Sequence, residues 1–182
     1  MTKMIIHLKN KRNLYLAMGS TLVMLLYIKF ILVHFGKCFT LDVGVNSLGL
    51  SFYYTMDMVQ NFFETRSREQ LLCYSQFLKI WDAIFAFVYT FVYVSWIRCF
   101  FKNKSLFLII PIFAMIADWV ENYFELLMLE NYFESSPISQ ILVSLGSGIN
   151  SFKLSLSVLT YLIILIGIII SLKTSLTKPK LN

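Results

Sequence analysis

Four long apolar stretches constrain this chain more than any other feature of its sequence. They run from about Leu14 to Phe35, Phe77 to Ile97, Leu106 to Leu129 and Leu154 to Leu172. A helix needs roughly 20 apolar residues to cross the hydrocarbon core of a bilayer. Only 14% of the 182 residues are charged, whereas soluble domains carry roughly a quarter. The sequence therefore predicts an integral membrane protein.

The spans predict an all-α fold, in which residues 1–182 form a single membrane domain built as a four-helix transmembrane bundle. The outer loop, residues 36–76, contains a helical pattern that starts near Ser51 and predicts a small extracytoplasmic helical cap. The residues expected on one face of this cap helix are Phe52, Met56, Val59 and Phe63. Ser67 followed by Gln70 is a capping-box signature, so we expect the second transmembrane helix to begin there.

A second outer connection is predicted between the third and fourth spans, over residues 135–151. Pro137, Gly146 and Gly148 lie in this stretch, and both residue types favour turns and loops. We expect a short separate helical piece within it, from 138 to 145.

Lysine and arginine residues are concentrated at alternate ends of the spans. Ten of the sixteen lie before the first span, between the second and third, or after the fourth. Cytoplasmic segments carry such an excess, so both termini are predicted to be cytoplasmic. Because topology explains the net charge of +6, we predict no nucleic-acid partner.

The three cysteines are divided by this topology. Cys38 and Cys73 fall on the outer side, and Cys99 falls on the cytoplasmic side. One disulfide, between Cys38 and Cys73, is compatible with this arrangement. Three unpaired cysteines that pack as small apolar residues are the alternative.

The third span carries a polar stripe. Asp118, Glu121, Asn122 and Glu125 are spaced i, i+3, i+4 and i+7, which places them on one face of a helix. A carboxylate at the centre of a bilayer costs at least about 2.5 to 3.5 kcal/mol. Three carboxylates on one stripe must therefore face a partner, a cavity or water.

Polar residues of the other spans lie at a similar depth, in the outer half of the bundle. Lys79, Asp82 and Tyr89 belong to the second span, Lys153 opens the fourth, and His34 lies near the outer end of the first. We therefore predict one polar cavity, open outward or to the outer leaflet. Its candidate residues are Asp82, Tyr89, Asp118, Glu121, Asn122, Glu125 and Lys153.

Three interpretations of this cluster compete. Its ion pairs, formed by Lys153 and Lys79 with the acids, can simply hold the helices in register. Alternatively, crowded carboxyls of different pKa can bind or transform a molecule. A metal site of Asp82, Asp118, Glu121 and His34 is the third, but these residues match no known ligand spacing, so we predict neither metal nor cofactor.

A resemblance extends over roughly residues 40–172. An outer loop helix, Tyr74, the run WDAIFAFVYTFVY, a basic turn, a proline, ADWVENYFE and a lysine opening the last span occur in this order. This order resembles a family of uncharacterised bacterial four-span membrane proteins with a D-x-x-E-N motif in the third span. Members of that family often have a proline after the Phe of the second span, where this chain has Ala86 after Phe85. The resemblance implies the fold and location in a bacterial inner membrane, and it implies no activity.

Together these observations predict a membrane protein whose outward-facing polar cavity binds, and can transform, a lipid-like or amphipathic molecule. Its predicted partners are the lipid bilayer and that ligand. The alternative is a non-enzymatic membrane subunit or effector whose buried polar network only specifies helix packing or assembly.

Overall fold

The computed structural model describes residues 2–41, 47–101 and 106–176. Within these ranges the chain forms five helices and no strand. Helix α1 runs over Thr2–Tyr27, passes through a π-helical turn at Ile28–Leu32 and ends with Val33–Gly36; a 3₁₀ turn, Leu48–Leu50, precedes α2, Met56–Glu64. Helix α3 comprises Arg68–Gln76, a π-helical turn at Phe77–Asp82 and Ala83–Phe100, and it is followed by α4, Leu106–Phe133, and α5, Gln140–Leu176.

Helices α1, α3, α4 and α5 are long and apolar enough to cross a membrane. Helix α3 is their common partner, because it packs against α1, α4 and α5, and α4 packs in turn against α5. Large apolar side chains such as Phe30 and Ile169 remain exposed on the outside of the bundle, as expected for surfaces in contact with lipid. The predicted all-α bundle is confirmed, and the chain is a membrane protein.

The connection between α4 and α5 is shorter than predicted. Helix α4 ends in a Schellman motif, with Ser135 at a φ of 57° and the Ser136 amide bonded to the Asn131 carbonyl at 2.9 Å. Helix α5 begins at Gln140, so the connection covers residues 134–139 and not 135–151. The prediction of a separate helical piece over 138–145 was also wrong, because α5 continues through Gly146 and Gly148. A glycine inside a helix costs only about 1 kcal/mol relative to alanine, so these two residues do not interrupt it.

Residues 37–41 and 47–67, here together called the cap, cover one end of the bundle. Its helix α2 begins at Met56, where Thr55 caps it, and not at Ser51. Phe52 is exposed and therefore does not belong to the packed face, which is formed by Val59, Phe62 and Phe63. The expected capping box at the start of α3 is confirmed, since Ser67 and Gln70 exchange both hydrogen bonds.

One covalent bond fastens the cap to the helices, and one buried side chain joins two parts of the cap. A disulfide joins Cys38 to Cys73 of α3, with their Cα atoms 6.3 Å apart, so the first of the two cysteine alternatives is realised. The buried Arg66 side chain donates to the carbonyl oxygens of Phe39 and Phe62, both at 2.9 Å. Burial lowers the pKa of Arg66.

Candidate functional site

A cavity of about 360 Å³ lies at the cap end of the bundle. All four long helices and the 3₁₀ turn of the cap contribute to its wall. The structure brings every one of the predicted candidate residues to this cavity: Asp82, Tyr89, Asp118, Glu121, Asn122, Glu125 and Lys153. The four carboxyl groups in this set face only one ammonium group.

The ammonium group of Lys153 connects α5 to α4. Its Nζ lies 3.0 Å from Asp118 Oδ1 and 2.7 Å from Glu121 Oε2. The second oxygen of Asp118 accepts a hydrogen bond of 3.1 Å from the Tyr89 hydroxyl of α3. These contacts place three helices around one buried ion-pair cluster.

Asp82 is held where α3 changes its winding. It is the last residue of the π-helical turn, and its Oδ2 accepts a 2.8 Å hydrogen bond from Asn122. The neighbouring carbonyls are also occupied: Tyr27 donates to the Trp81 oxygen at 2.8 Å, and Trp119 donates to the Ala83 oxygen at 3.1 Å. Side chains from α1 and α4 thus fix the backbone on both sides of Asp82. π-Helical turns are frequent at functional sites.

Glu125 lies at the cap end of the same stripe. The Tyr74 hydroxyl donates a hydrogen bond to Glu125 Oε2, and Ser47 of the cap lies 3.3 Å from that hydroxyl. Tyr74 and Glu125 are both completely buried. The cap and α3 therefore both contribute to the environment of this carboxyl group.

The cap is seated directly over the acids and on α5. The backbone amide of Tyr54 donates to Ser147 Oγ at 2.9 Å, and Asn150 donates to the Ser51 carbonyl at 2.5 Å. A Cβ atom added to Gly49 would lie 2.9 Å from Glu121 Oε1, so the cap backbone approaches this carboxyl closely. Burial, followed by the charges of Glu125 and Glu121, raises the pKa of Tyr54.

Two carboxyl oxygens of the cavity are buried without a donor. Glu121 and Glu125 each expose only 1% of their surface. Their Oε2 atoms are bonded to Lys153 and Tyr74, but neither Oε1 atom has a hydrogen-bond partner in the described part of the chain. A buried acceptor without a donor costs about 1 to 3 kcal/mol, and more if it is charged. The cavity therefore has acceptor capacity to offer to a donor.

The sequence ENYFE occurs twice, at 121–125 within α4 and at 130–134 across its C-terminal end, and the two copies have opposite environments. Glu121 and Glu125 of the first copy are buried, whereas Glu130 and Glu134 of the second copy are exposed. Nine residues correspond to two and a half helical turns, so the copies point in opposite directions. The second copy provides matched control positions for experiments on the first.

Other polar residues of the spans lie outside the cavity. His34, Lys79 and Lys29 are exposed, and none of the three contributes to the cavity wall. Lys79 takes part in neither ion pair of Lys153, so the network expected from both lysines contains only one. Among the described residues, no group of three or more His, Cys, Asp or Glu side chains is arranged to hold a metal ion.

The sequence interpretation missed several residues of the site. Tyr74, Ser47 and Gly49 surround Glu125 and Glu121, and Tyr54 lies above them. The capping box at Ser67 was the available signal for Tyr74, because it extends α3 two turns above the predicted start of the span. No comparable signal in the sequence indicates that the cap would fold down onto the acids.

Comparison of the chain with protein-family profiles, with curated proteins and with solved structures returned no match.

Proposed function

We propose that this protein binds a lipid-like or amphipathic molecule in the cavity beneath the cap. The observation that carries the proposal is the combination of a polar floor with apolar walls in one cavity that lies between membrane helices. The floor consists of the carboxyl groups, Asn122 and Lys153, while Met24, Ile28 and Leu154 contribute apolar wall. A volume of about 360 Å³ is at the lower end of the range for small-molecule sites, about 300 to 1,000 Å³.

The chemistry of the floor also permits transformation of the ligand. Closely spaced carboxyl groups in a low dielectric can take different protonation states, so that one serves as an acid and another as a base. Asp118 and Glu121 share Lys153, and Asp82 and Glu125 have separate partners. We propose that the site as a whole binds the ligand, and that the chemistry of the ligand determines which reaction follows.

We further propose that the chain resides in a bacterial inner membrane, with both termini in the cytoplasm and the cap on the outer side. The distribution of lysine and arginine supports this orientation. The Cys38–Cys73 disulfide at the cap end supports it independently, because disulfides persist in oxidising compartments such as the periplasm. The D-x-x-E-N motif, Asp118, Glu121 and Asn122, supports membership of the four-span family.

The test is mass spectrometry of the lipids and other molecules retained by the purified protein. Wild type is compared with Asp118→Asn and Glu121→Gln, and with Glu130→Gln as the exposed control from the second ENYFE copy. We expect a specific species that wild type and Glu130→Gln retain and that both cavity variants lose while staying monodisperse. Equal lipid profiles in all four proteins would contradict the proposal.

A second candidate function is favoured by the hydrogen bonds between helices. Asn122 with Asp82, Tyr89 with Asp118, and Lys153 with two acids join α3, α4 and α5. Such contacts can serve assembly of a membrane subunit alone. In that case Asp118→Asn and Glu121→Gln would lower thermal stability without changing which lipids are retained.

A further inference from the structure

We infer that the ligand of this cavity is a cationic amphiphile: a protonated amine with N–H donors, attached to an apolar tail that reaches the cavity from the bilayer between α1 and α5. This inference rests on the proposed function, because it specifies the ligand class of the same site. It follows from the hydrogen bonds, the charges and the shape of the cavity.

The hydrogen bonds of the cavity leave carboxyl oxygens in need of a donor. Lys153, Asn122, Tyr89 and Tyr74 each donate a hydrogen bond to a carboxyl oxygen of the cavity. Glu121 Oε1 and Glu125 Oε1 accept no hydrogen bond from the amide, hydroxyl or ammonium groups of the described residues, and the two carboxyl groups lie within reach of each other. A ligand that brings only acceptors would add to this excess, whereas a primary ammonium group brings three donors.

The charges of the lining residues point to a cation. Asp82, Asp118, Glu121 and Glu125 supply four carboxyl groups, and Lys153 is the single basic residue among the described residues that line the cavity. Its Nζ is already engaged by Asp118 and Glu121 Oε2. Phosphate or sulfate would bring further acceptor oxygens to carboxyl oxygens that already lack donors, and it would place another anion beside the Asp118–Glu121–Lys153 cluster, which is unfavourable in a low dielectric.

The shape of the cavity indicates where the tail lies. In the described residues α1 packs closely against α3 alone, and α5 packs against α4 and α3. Met24 and Ile28 of α1 and Leu154 and Tyr161 of α5 nevertheless line the same cavity. These side chains border the side on which the bundle is least closed, and they offer apolar contacts to a chain that continues into the bilayer. An inorganic cation would make no use of this apolar border.

The inference is tested with probes that share one tail. Wild-type protein in a neutral sugar detergent is titrated with dodecylamine, dodecanol and dodecyl sulfate, and binding is followed by native mass spectrometry. The same titrations are made with Glu125→Gln, which keeps an acceptor for Tyr74, and with Glu134→Gln as the matched exposed control. We expect dodecylamine to bind at least about tenfold more tightly than dodecanol to wild type and to Glu134→Gln, with most of that preference lost in Glu125→Gln.

The outcomes separate the two proposals. If dodecanol binds as tightly as dodecylamine, or dodecyl sulfate binds best, the cationic ligand class is wrong while an amphiphile site remains. If no probe binds to wild type, the proposed function fails as well. Sodium or calcium chloride that displaces dodecylamine at constant ionic strength from wild type but not from Glu125→Gln would assign the acids to an inorganic cation and overturn the amphiphile.

Discussion

Asn122 Nδ2 donates a 2.8 Å hydrogen bond to Asp82 Oδ2 and thereby joins α4 to the final residue of the π-helical turn in α3. Asn122 is buried, and Asp82 is partly buried. Since the Asp82 carboxyl belongs to the cavity wall, this bond determines how one of its four acids is presented.

Replacement of Asn122 by leucine should therefore destabilise the bundle. Asp82 would lose its side-chain donor, and such a loss lowers the free energy of unfolding by about 1 to 3 kcal/mol. The measurement is unfolding in mixed micelles of increasing denaturant content. Asn131→Leu, the equivalent change in the second ENYFE copy, is the control and should have less than half the effect; equal losses would contradict a specific role for the bond.

Replacement of Lys153 by methionine should be strongly destabilising alone and largely harmless in combination. Alone it leaves Asp118 and Glu121 buried without their cation, which lowers the free energy of unfolding by about 3 to 5 kcal/mol. Adding Asp118→Asn and Glu121→Gln removes the uncompensated charges, so most of the stability should return. The same unfolding assay checks this prediction, and a triple variant as unstable as the single one would show that the charges are not responsible.

Two glycines near the start of α5 should respond oppositely to alanine. A Cβ at Gly146 would lie 2.5 Å from the Tyr54 hydroxyl and 3.2 Å from Phe124, whereas a Cβ at Gly148 meets nothing within 4 Å. Gly146→Ala should lower stability by about 1 to 3 kcal/mol through overpacking. Gly148→Ala should raise it by roughly 0.5 to 1 kcal/mol, because alanine is the better helix former. Thermal unfolding of the two variants measures the difference, and equal effects of the two substitutions would contradict the close packing of Gly146 against Tyr54 and Phe124.

The disulfide should contribute to the stability of the cap. Cys38 and Cys73 are 35 residues apart, and closing a loop of that length stabilises a fold by about 3 to 4 kcal/mol in the chain-entropy model. The double variant Cys38→Ser, Cys73→Ser should therefore unfold at a lower temperature than wild type. Non-reducing gels of wild type should show a faster band that reductant abolishes, and a band unaffected by reductant would contradict the bridge.

Alkaline pH should loosen the cap through Tyr54. Its pKa is raised in the folded protein, first by burial and then by the charges of Glu125 and Glu121. Folding therefore favours the neutral hydroxyl group. The contribution of Tyr54 to the stability of the fold is complete below a pH of about 10, the pKa of tyrosine in the unfolded chain, and it declines as the pH rises above that value. Thermal unfolding of wild type and Tyr54→Phe is compared from pH 7 to 11.

Since phenylalanine cannot ionise, the variant should gain stability relative to wild type only at the alkaline end. A stability difference that is independent of pH would exclude the titration of Tyr54 as the cause. The other buried tyrosines are present in both proteins, so their ionisation cancels in the comparison.

The sequence predicted the helices and the cavity stripe because both depend on local periodicity. The spacing of Asp118, Glu121, Asn122 and Glu125 defines a helix face without knowledge of its neighbours, and the cost of buried carboxylates in a membrane makes that face turn inward. The predicted start of α5 was wrong because Gly146 and Gly148, judged from the local sequence alone, are typical of loops. Their tolerance within a helix depends on its packing against the cap and α4.

The position of the cap over the site could not be predicted from the sequence. Contacts such as Tyr74 with Glu125, or Gly49 with Glu121, join residues more than 50 positions apart. Neither pattern nor propensity specifies such pairs, because they depend on how a loop folds back on the bundle. The π-helical turns at Phe77–Asp82 in α3 and at Ile28–Leu32 in α1 likewise have no simple sequence signature.

The contact of Lys153 with Asp118 and Glu121 also has a consequence for the biogenesis of the protein. Helices α4 and α5 each carry ionisable groups that are unfavourable in hydrocarbon when unpaired, and only residues 134–139 separate the two helices. Neither helix is well suited to leave the translocon alone, whereas together they conceal their charges from lipid. We therefore expect α4 and α5 to enter the bilayer together as one antiparallel hairpin. They would remain at the translocation channel until Lys153 has paired with Asp118 and Glu121.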